Sequence, residues 1–115
     1  EFNTGEEVRC VLGKDLDGDG IDEALAGSFS QFVYCWGLEN GKLRWTRNLG
    51  SPVNVLASGS KNCVFAGLRD GRIVEIDAAG KSIRELDTKS QVTIMKPSKN
   101  GVLAATEDGK LRLTK

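Results

Sequence analysis

Three aspartates alternate with one leucine and two glycines in one stretch near the start of the chain. Carboxylates two residues apart repel one another in a compact turn, and a hard cation that takes about six to eight oxygen ligands relieves that repulsion. Gly18 and Gly20 lie between them and permit a tight turn. The stretch predicts a calcium site, and the alternative is an acidic surface turn that holds no metal. The predicted ligands are the carboxylates of Asp15, Asp17, Asp19 and Glu23 and the main-chain carbonyl of Ile21.

The type of calcium loop follows from the positions that come after the first aspartates. An EF-hand counted from Asp15 needs a bidentate glutamate at position twelve, where this chain has Ala26, and Asp22 stands at the eighth position. The EF-hand interpretation therefore fails. A short apolar run at residues 24–28 follows Glu23 directly and is typical of a strand.

The pattern Asp-x-Asp-Gly-Asp-Gly-x-x-Glu followed by Ala-Leu-Ala-Gly-Ser resembles the FG-GAP type of β-propeller blade, found in integrin heads and in secreted and trafficking propellers. The match covers residues 8–36. The resemblance implies that the loop joins the first two strands of a blade and binds calcium. Glu23 stands where that family more often has aspartate, so it is the ligand least supported by the resemblance.

An internal repeat extends along the whole chain at a spacing of 38 to 40 residues. The first apolar segment, residues 24–27, matches residues 64–67, and the sequence suggests residues 103–106 as the third copy. Gly41-Lys42 and Gly80-Lys81 match in the same way. A period close to 40 is typical of four-stranded propeller blades.

The repeat and the alternation of apolar and polar residues predict an all-β fold of eleven strands. Glycine follows Asn40, Asp70, Ala79, Asn100 and Asp108, which is the turn chemistry of antiparallel hairpins. On the fourth strand the alternation predicts that Leu43, Trp45 and Leu49 share one face. The predicted strands are Val8–Leu12, Glu23–Ser28, Phe32–Trp36, Leu43–Leu49, Val53–Ser58, Cys63–Leu68, Arg72–Asp77, Ser82–Leu86, Val92–Lys96, Val102–Thr106 and Leu111–Thr114.

The second and third units carry ordinary polar turns, residues 59–62 and 98–101, where the first unit has its acidic loop. Their segments, such as residues 70–77 followed by Gly80-Lys81, resemble quinoprotein-type and WD-like repeats. In the quinoprotein enzymes the cofactor lies in the central channel of a complete propeller. That resemblance implies part of such a propeller and places no cofactor site in this chain.

The predicted organisation is a single β-propeller segment, residues 1–115, with blades at about 7–51 and 52–90 and a partial blade at about 91–115. Propellers close with about four to eight blades, so this set does not form a ring by itself. We expect a protein partner or self-association to complete the propeller, because stacked repeats bury their apolar faces on neighbours. Phe2-Asn3-Thr4 is a candidate for the missing outer strand of the last blade. The alternatives are that the chain is a piece of a longer propeller or that it forms an irregular small β domain.

Charge and composition narrow the partners. Sixteen basic and sixteen acidic residues cancel, and the lysines and arginines are scattered along the chain, which argues against a nucleic-acid partner. The longest apolar stretches have strand length, so we expect no membrane span.

Three cysteines, at Cys10, Cys35 and Cys63, each fall within a predicted strand. Buried free thiols are the simple interpretation, and a Cys10–Cys35 disulfide is the alternative. Free thiols favour a cytoplasmic setting, whereas the calcium loop favours a compartment rich in calcium, such as the extracellular space of a secreted precursor. The two indications oppose each other and leave the location open.

The sequence contains few residues in patterns that could support catalysis. The chain has no histidine, which excludes a serine triad with a histidine base, and its paired acidic residues fall in predicted turns. Trp36 and Trp45 either stack on a sugar or pack between blades. The leading hypothesis is a non-catalytic interaction scaffold stabilised by one calcium ion. The alternatives are a carbohydrate-binding or carbohydrate-active propeller and part of a quinoprotein-like propeller.

Overall fold

The computed structural model describes residues 7–59, 62–99 and 101–114, and these residues form eleven antiparallel β-strands. All eleven strands lie where the sequence predicts them, with ends that differ by at most two residues, and the all-β prediction is confirmed. The strands are β1 (Val8–Lys14), β2 (Glu23–Ser28), β3 (Phe32–Gly37), β4 (Leu43–Asn48), β5 (Val53–Ser58), β6 (Cys63–Leu68), β7 (Arg72–Asp77), β8 (Ser82–Asp87), β9 (Val92–Ser98), β10 (Gly101–Thr106) and β11 (Leu111–Thr114).

Three separate sheets make up the fold. Blade 1 is the sheet β1-β2-β3-β4, blade 2 is β5-β6-β7-β8, and blade 3 is the three-stranded sheet β9-β10-β11. Strands that follow each other in the chain are neighbours in each sheet, so every connection within a blade is a hairpin. Gly41, Gly71, Gly80 and Gly109 adopt positive φ in these turns, as the turn chemistry predicts.

The blades pack face to face with blade 2 in the middle, and β5 lies against both β1 and β9. One apolar cluster fills the space between blades 1 and 2, and a second fills the space between blades 2 and 3. Blades 1 and 3 therefore each have one apolar face inside the stack and one outer face. The fully buried members of the two clusters include Leu25, Val33, Val53, Val64, Val74, Ile76, Val92, Val102 and Ala104.

Two glycines allow the blades to approach closely. A Cβ at Gly27 would lie 2.5 Å from Val53 Cγ1, and a Cβ at Gly67 would lie 2.7 Å from Val92 Cγ1. The first valine of each following blade thus packs directly on the backbone of β2 or β6. The same contact at both interfaces shows that the repeat in the sequence is a repeat in three dimensions.

The third copy of the repeat begins one residue earlier than the sequence suggests. Leu68 pairs with Val53 and Thr106 pairs with Val92, so residues 102–105, not 103–106, correspond to residues 64–67. The hairpin between β9 and β10 has only residues 99–100 between its strands, whereas residues 59–62 connect β5 and β6. The shorter turn shortens the repeat, so an alignment based on the sequence pattern alone places the third copy one residue too late.

A β-bulge in β4 shows that the prediction of a shared face for Leu43 and Trp45 is wrong. Trp45 pairs with Cys35 while Leu43 pairs with Trp36, so Leu43 and Trp45 lie on opposite faces and Arg44 is the extra residue between them. Leu43 is exposed and Trp45 packs on the core. Strict alternation fails here because the bulge shifts the strand by one residue.

Some predicted features lie outside the described residues, namely the candidate strand Phe2-Asn3-Thr4, Asn100, and part of the turn at residues 59–62. Among the ranges that the structure describes, no helix has the length and apolar character needed to cross a bilayer.

Candidate metal centre

The acidic loop occupies residues 15–22 and connects β1 to β2, the first two strands of blade 1. Leu16 anchors it: this side chain is 1% exposed and lies in the core between blades 1 and 2. Gly18 and Gly20 adopt positive φ, which residues with a side chain reach only with strain. An apolar anchor and two permissive glycines thus hold the loop in a compact turn.

The aspartates of the loop fold it around themselves. Asp15 accepts hydrogen bonds from the amides of Gly18 (2.9 Å) and Gly20 (2.8 Å). Asp19 accepts one from the Ile21 amide at 2.8 Å. These bonds turn the backbone amides inward and gather the carboxylates on one side of the loop.

Four predicted ligands meet in the structure: Asp15, Asp17, Asp19 and Glu23 place carboxylate oxygens within 4.8 Å of one another. Oxygen ligands at about 2.3 to 2.6 Å from a common calcium ion are separated by distances of this order. The fifth predicted ligand, the Ile21 carbonyl, belongs to the same loop, and its role as a ligand stays a prediction.

Glu23 is the buried member of this group, with a side chain 1% exposed. Its Oε1 accepts a hydrogen bond from the Leu16 amide at 2.6 Å. Its Oε2 is buried without a hydrogen-bond donor among the described residues. A buried carboxylate oxygen in that state is costly unless a positive charge compensates it, and this is the feature of the loop that fits a cation.

Arg44 supplies one positive charge beside the cluster. Its Nη1 lies 2.6 Å from Asp17 Oδ2 and 3.6 Å from Glu23 Oε2, the second an ion pair too long for a hydrogen bond. The hydrogen bond from Arg44 lowers the pKa of Asp17 to about 2. For Asp19, the Ile21 amide lowers the pKa, but desolvation and the charges of Asp17 and Asp15 outweigh it and raise the pKa overall. Two of the four carboxylates, those of Asp17 and Glu23, thus pair with one guanidinium.

Two residues of the site escape the sequence pattern. Leu16 stands at a position that the motif leaves unspecified, and its burial follows only from packing in the core between blades 1 and 2. Arg44 lies 27 positions from its partner Asp17. A lone basic residue on a predicted strand carries no local signal that it reaches the loop.

We call the connection between the first two strands of a blade its hinge. The hinge of blade 2 differs from the acidic loop of blade 1. The Lys14 ammonium, at the end of β1, donates to the carbonyls of Gly59 (3.0 Å) and Cys63 (2.6 Å). Burial lowers the pKa of Lys14. A lysine from blade 1 thereby closes the connection between β5 and β6, where no acidic cluster is found among the described residues.

The two tryptophans pack within the protein. Trp45 donates from Nε1 to the Ala78 carbonyl at 2.9 Å, and a Cβ at Gly80 would lie 2.7 Å from its ring. Trp36 is 8% exposed and stacks on Tyr34 with 5.6 Å between ring centroids. The packing interpretation therefore holds for Trp45 between blades 1 and 2, and Trp36 lies on the outer face of blade 1.

All three cysteines are free thiols in the structure, so the alternative Cys10–Cys35 disulfide does not form there. Burial raises the pKa of Cys10 and of Cys35 to about 11 in each case. At neutral pH both are neutral and weakly nucleophilic.

The outer faces of blades 1 and 3 expose apolar surface. A cavity of about 330 Å³ opens on the outer face of blade 1, lined among others by Val11, Trp36 and Leu38. Val11 is 74% exposed. On blade 3, Ile94 and Leu103 are exposed, and Leu111 is 73% exposed.

Comparison with known sequences gives one family. The sequence model of the lambda-carrageenase β-propeller domain matches residues 4–111. A lambda-carrageenase from Pseudoalteromonas sp. is 28% identical over 81 residues, which are 67% of this chain and 8% of that protein. The chain thus spans a small part of the curated relative that it matches.

Comparison with solved structures supports the fold. The β-propeller domain of Cps50 (Swd1) from Myceliophteria thermophila superposes with a TM-score of 0.80 at 16% identity, over 100% of this chain and 37% of that chain. The WD40 repeats of RRP9 give 0.76 at 14% identity, over 92% and 34%. The computationally designed Ika8 protein gives 0.73 at 24% identity, over 91% and 32%. These similarities show a β-propeller architecture with WD-like blades.

Proposed function

This chain belongs to the lambda-carrageenase β-propeller domain family, and we propose that it is a non-catalytic propeller segment. Its first hinge binds one calcium ion, and its two outer faces dock further blades. The observation that carries the calcium site is the buried Glu23 Oε2 without a hydrogen-bond donor, on a carboxylate that lies within 4.8 Å of those of three aspartates. The FG-GAP resemblance of the same loop supports this assignment.

The docking role rests on the equivalence of the blade faces. Val64 and Ala66 of blade 2 pack on blade 1, and the residues at the same positions of blade 1, Ala24 and Ala26, line the cavity on its outer face. A face built on this plan has a four-stranded blade as its natural partner. Exposed residues such as Val11 then become buried, as Leu56, at the same position of blade 2, is at the internal interface.

Calcium binding is tested by titrating the metal into the chelator-treated protein. At calcium near 100 times the dissociation constant, the ion adds about 2.7 kcal/mol to the free energy of unfolding. We expect Asp19→Asn to remove most of the heat of binding and of this stabilisation. Asp22→Asn is the matched control, because Asp22 is an exposed carboxylate of the same loop that lies outside the cluster. Equal melting temperatures with calcium and with chelator would contradict the site.

Docking is tested by sedimentation velocity at several concentrations. We expect the chain to associate through its apolar outer faces, and Val11→Asp or Leu103→Asp to weaken that association. Phe29→Asp serves as control, since Phe29 is an exposed aromatic residue in the β2–β3 turn. A compact monomer at every concentration would contradict the docking role.

Carbohydrate binding is the second candidate, favoured by the family match and by the carrageenase name of the relative. Trp36, on the outer face of blade 1, is the aromatic residue with access to the cavity there. We expect carrageenan oligosaccharides to change the tryptophan fluorescence of the chain and of Trp45→Phe, but not of Trp36→Phe. No response in the unmodified chain would exclude this candidate.

A further inference from the structure

Arg44 reaches the acidic loop from strand β4, and two features of the local backbone position its side chain. It is the extra residue of the β4 bulge, and bulges redirect side chains. Its guanidinium lies over Gly37, where a Cβ would be 2.9 Å from Arg44 Nε. A larger residue at position 37 would displace the guanidinium, so the glycine at this position leaves the space that the guanidinium occupies.

The same place in blade 2 shows that this arrangement is not a general property of the blades. The β7–β8 pair has a bulge at the matching position, between Glu75 and Ile76. The extra residue there is Ile83, whose side chain is exposed. The described blade with an acidic first hinge is thus the one that has arginine at its bulge.

The position of Arg44 conflicts with a bound cation. Calcium lies about 2.4 Å from its oxygen ligands. Because Arg44 Nη1 is 2.6 Å from Asp17 Oδ2, an ion bound to that oxygen would lie no more than about 5 Å from the guanidinium. Like charges at that separation repel strongly where the surroundings are partly buried.

We propose that Arg44 is the internal counter-cation of the acidic loop and sets its calcium affinity. Without metal, Arg44 neutralises Asp17 and Glu23 and keeps the loop folded. With metal, the ion takes over Asp17 and the guanidinium moves away, so calcium competes with a charge that belongs to the protein. This inference rests on the proposed calcium site and adds the residue that regulates it.

The test compares calcium affinity by isothermal titration calorimetry in the unmodified chain, Arg44→Gln and Arg44→Lys. We expect Arg44→Gln to bind calcium about tenfold more tightly, because a nearby positive charge is removed. Arg44→Lys keeps the charge, and we expect an affinity within about threefold of the unmodified chain. Arg47→Gln is the matched control, as Arg47 is an exposed arginine of the same strand, and its affinity should change by less than about twofold.

The outcomes separate this inference from the site itself. If Arg44 only supported the shape of the loop, Arg44→Gln would bind calcium more weakly, which overturns the inference while the site stands. Equal affinities in the unmodified chain and Arg44→Gln do the same. Absence of binding in every variant overturns the calcium site, and this inference with it.

A second measurement needs no substitution. In nuclear magnetic resonance spectra of the unmodified chain, hydrogen exchange at the Arg44 guanidinium should be slow in chelator and faster with saturating calcium, as the bond to Asp17 breaks. An exchange rate that calcium leaves unchanged contradicts the displacement of Arg44.

Discussion

Blade 1 and blade 2 have the same strand order and the same glycine contact with the next blade, but the connections between their first two strands differ in kind. Blade 1 uses residues 15–22, an acidic loop that ends on the buried Glu23. Blade 2 uses residues 59–62, and Lys14 from its neighbour holds that turn. The comparison teaches that the inter-blade faces constrain the repeat, while the hinge is free to take on a separate role.

The largest expected effect tests whether the hinge of blade 1 is part of the core. Leu16→Ala should lower the free energy of unfolding by about 3 kcal/mol, because it removes a fully buried side chain and leaves a cavity. Ile21→Ala, in the same loop but more exposed, should cost less than about 1 kcal/mol. Chemical denaturation in chelator measures the free energy of unfolding of both variants. Similar small losses in the two variants would mean that the loop lies on the surface and is not part of the core.

The next effect tests what the blades share. Gly27→Ala and Gly67→Ala should each destabilise the chain by about 1–3 kcal/mol, since the added Cβ meets a valine of the next blade. Gly13→Ala is the control, because a Cβ there would lie 3.8 Å from Asp22, an ordinary contact. If chemical denaturation shows a loss at only one of the two glycines, the two interfaces are not equivalent.

A smaller effect tests the hinge of blade 2. Lys14→Met keeps the aliphatic length but removes the bonds to the carbonyls of Gly59 and Cys63, and we expect a loss of about 1 kcal/mol. Calcium should change the melting temperature of this variant as much as that of the unmodified chain. A reduced response to calcium would show that the two hinges are coupled.

The smallest effect is a pH dependence at Cys10, which packs on Gly27 where Val55 packs on Gly67. Burial raises the pKa of Cys10 from 9.0 to about 11. A raised pKa means that its contribution is complete below about pH 9 and is lost as the pH rises through about 11. The full shift corresponds to about 2.3 kcal/mol between pH 8 and pH 11. Because Cys10 is only partly buried and solvent screens its charge, we expect the unmodified chain to lose about 1 kcal/mol more than Cys10→Ala over that range. Parallel stability curves for the two proteins would contradict this.

Local signals were sufficient for much of the structure. Each strand shows its own alternation, and the turn glycines mark where it ends, so all eleven strands follow from the sequence. The acidic loop is equally local, because Asp15, Asp17 and Asp19 are close in the chain and their hydrogen bonds stay within it. The sequence also suggested blades through its period, which depends only on spacing.

Contacts between distant residues were decided by the tertiary structure. The bulge at Arg44 and the one-residue shift of the third unit depend on strand pairing, which periodicity does not define. The burial of Glu23 follows from packing of the loop on the core. By itself, the sequence determined the strands, the turns and a set of acidic residues able to bind a cation. Only the fold decided that one of those carboxylates is buried and that an arginine from another strand competes for them, because both depend on residues that meet across the sheet.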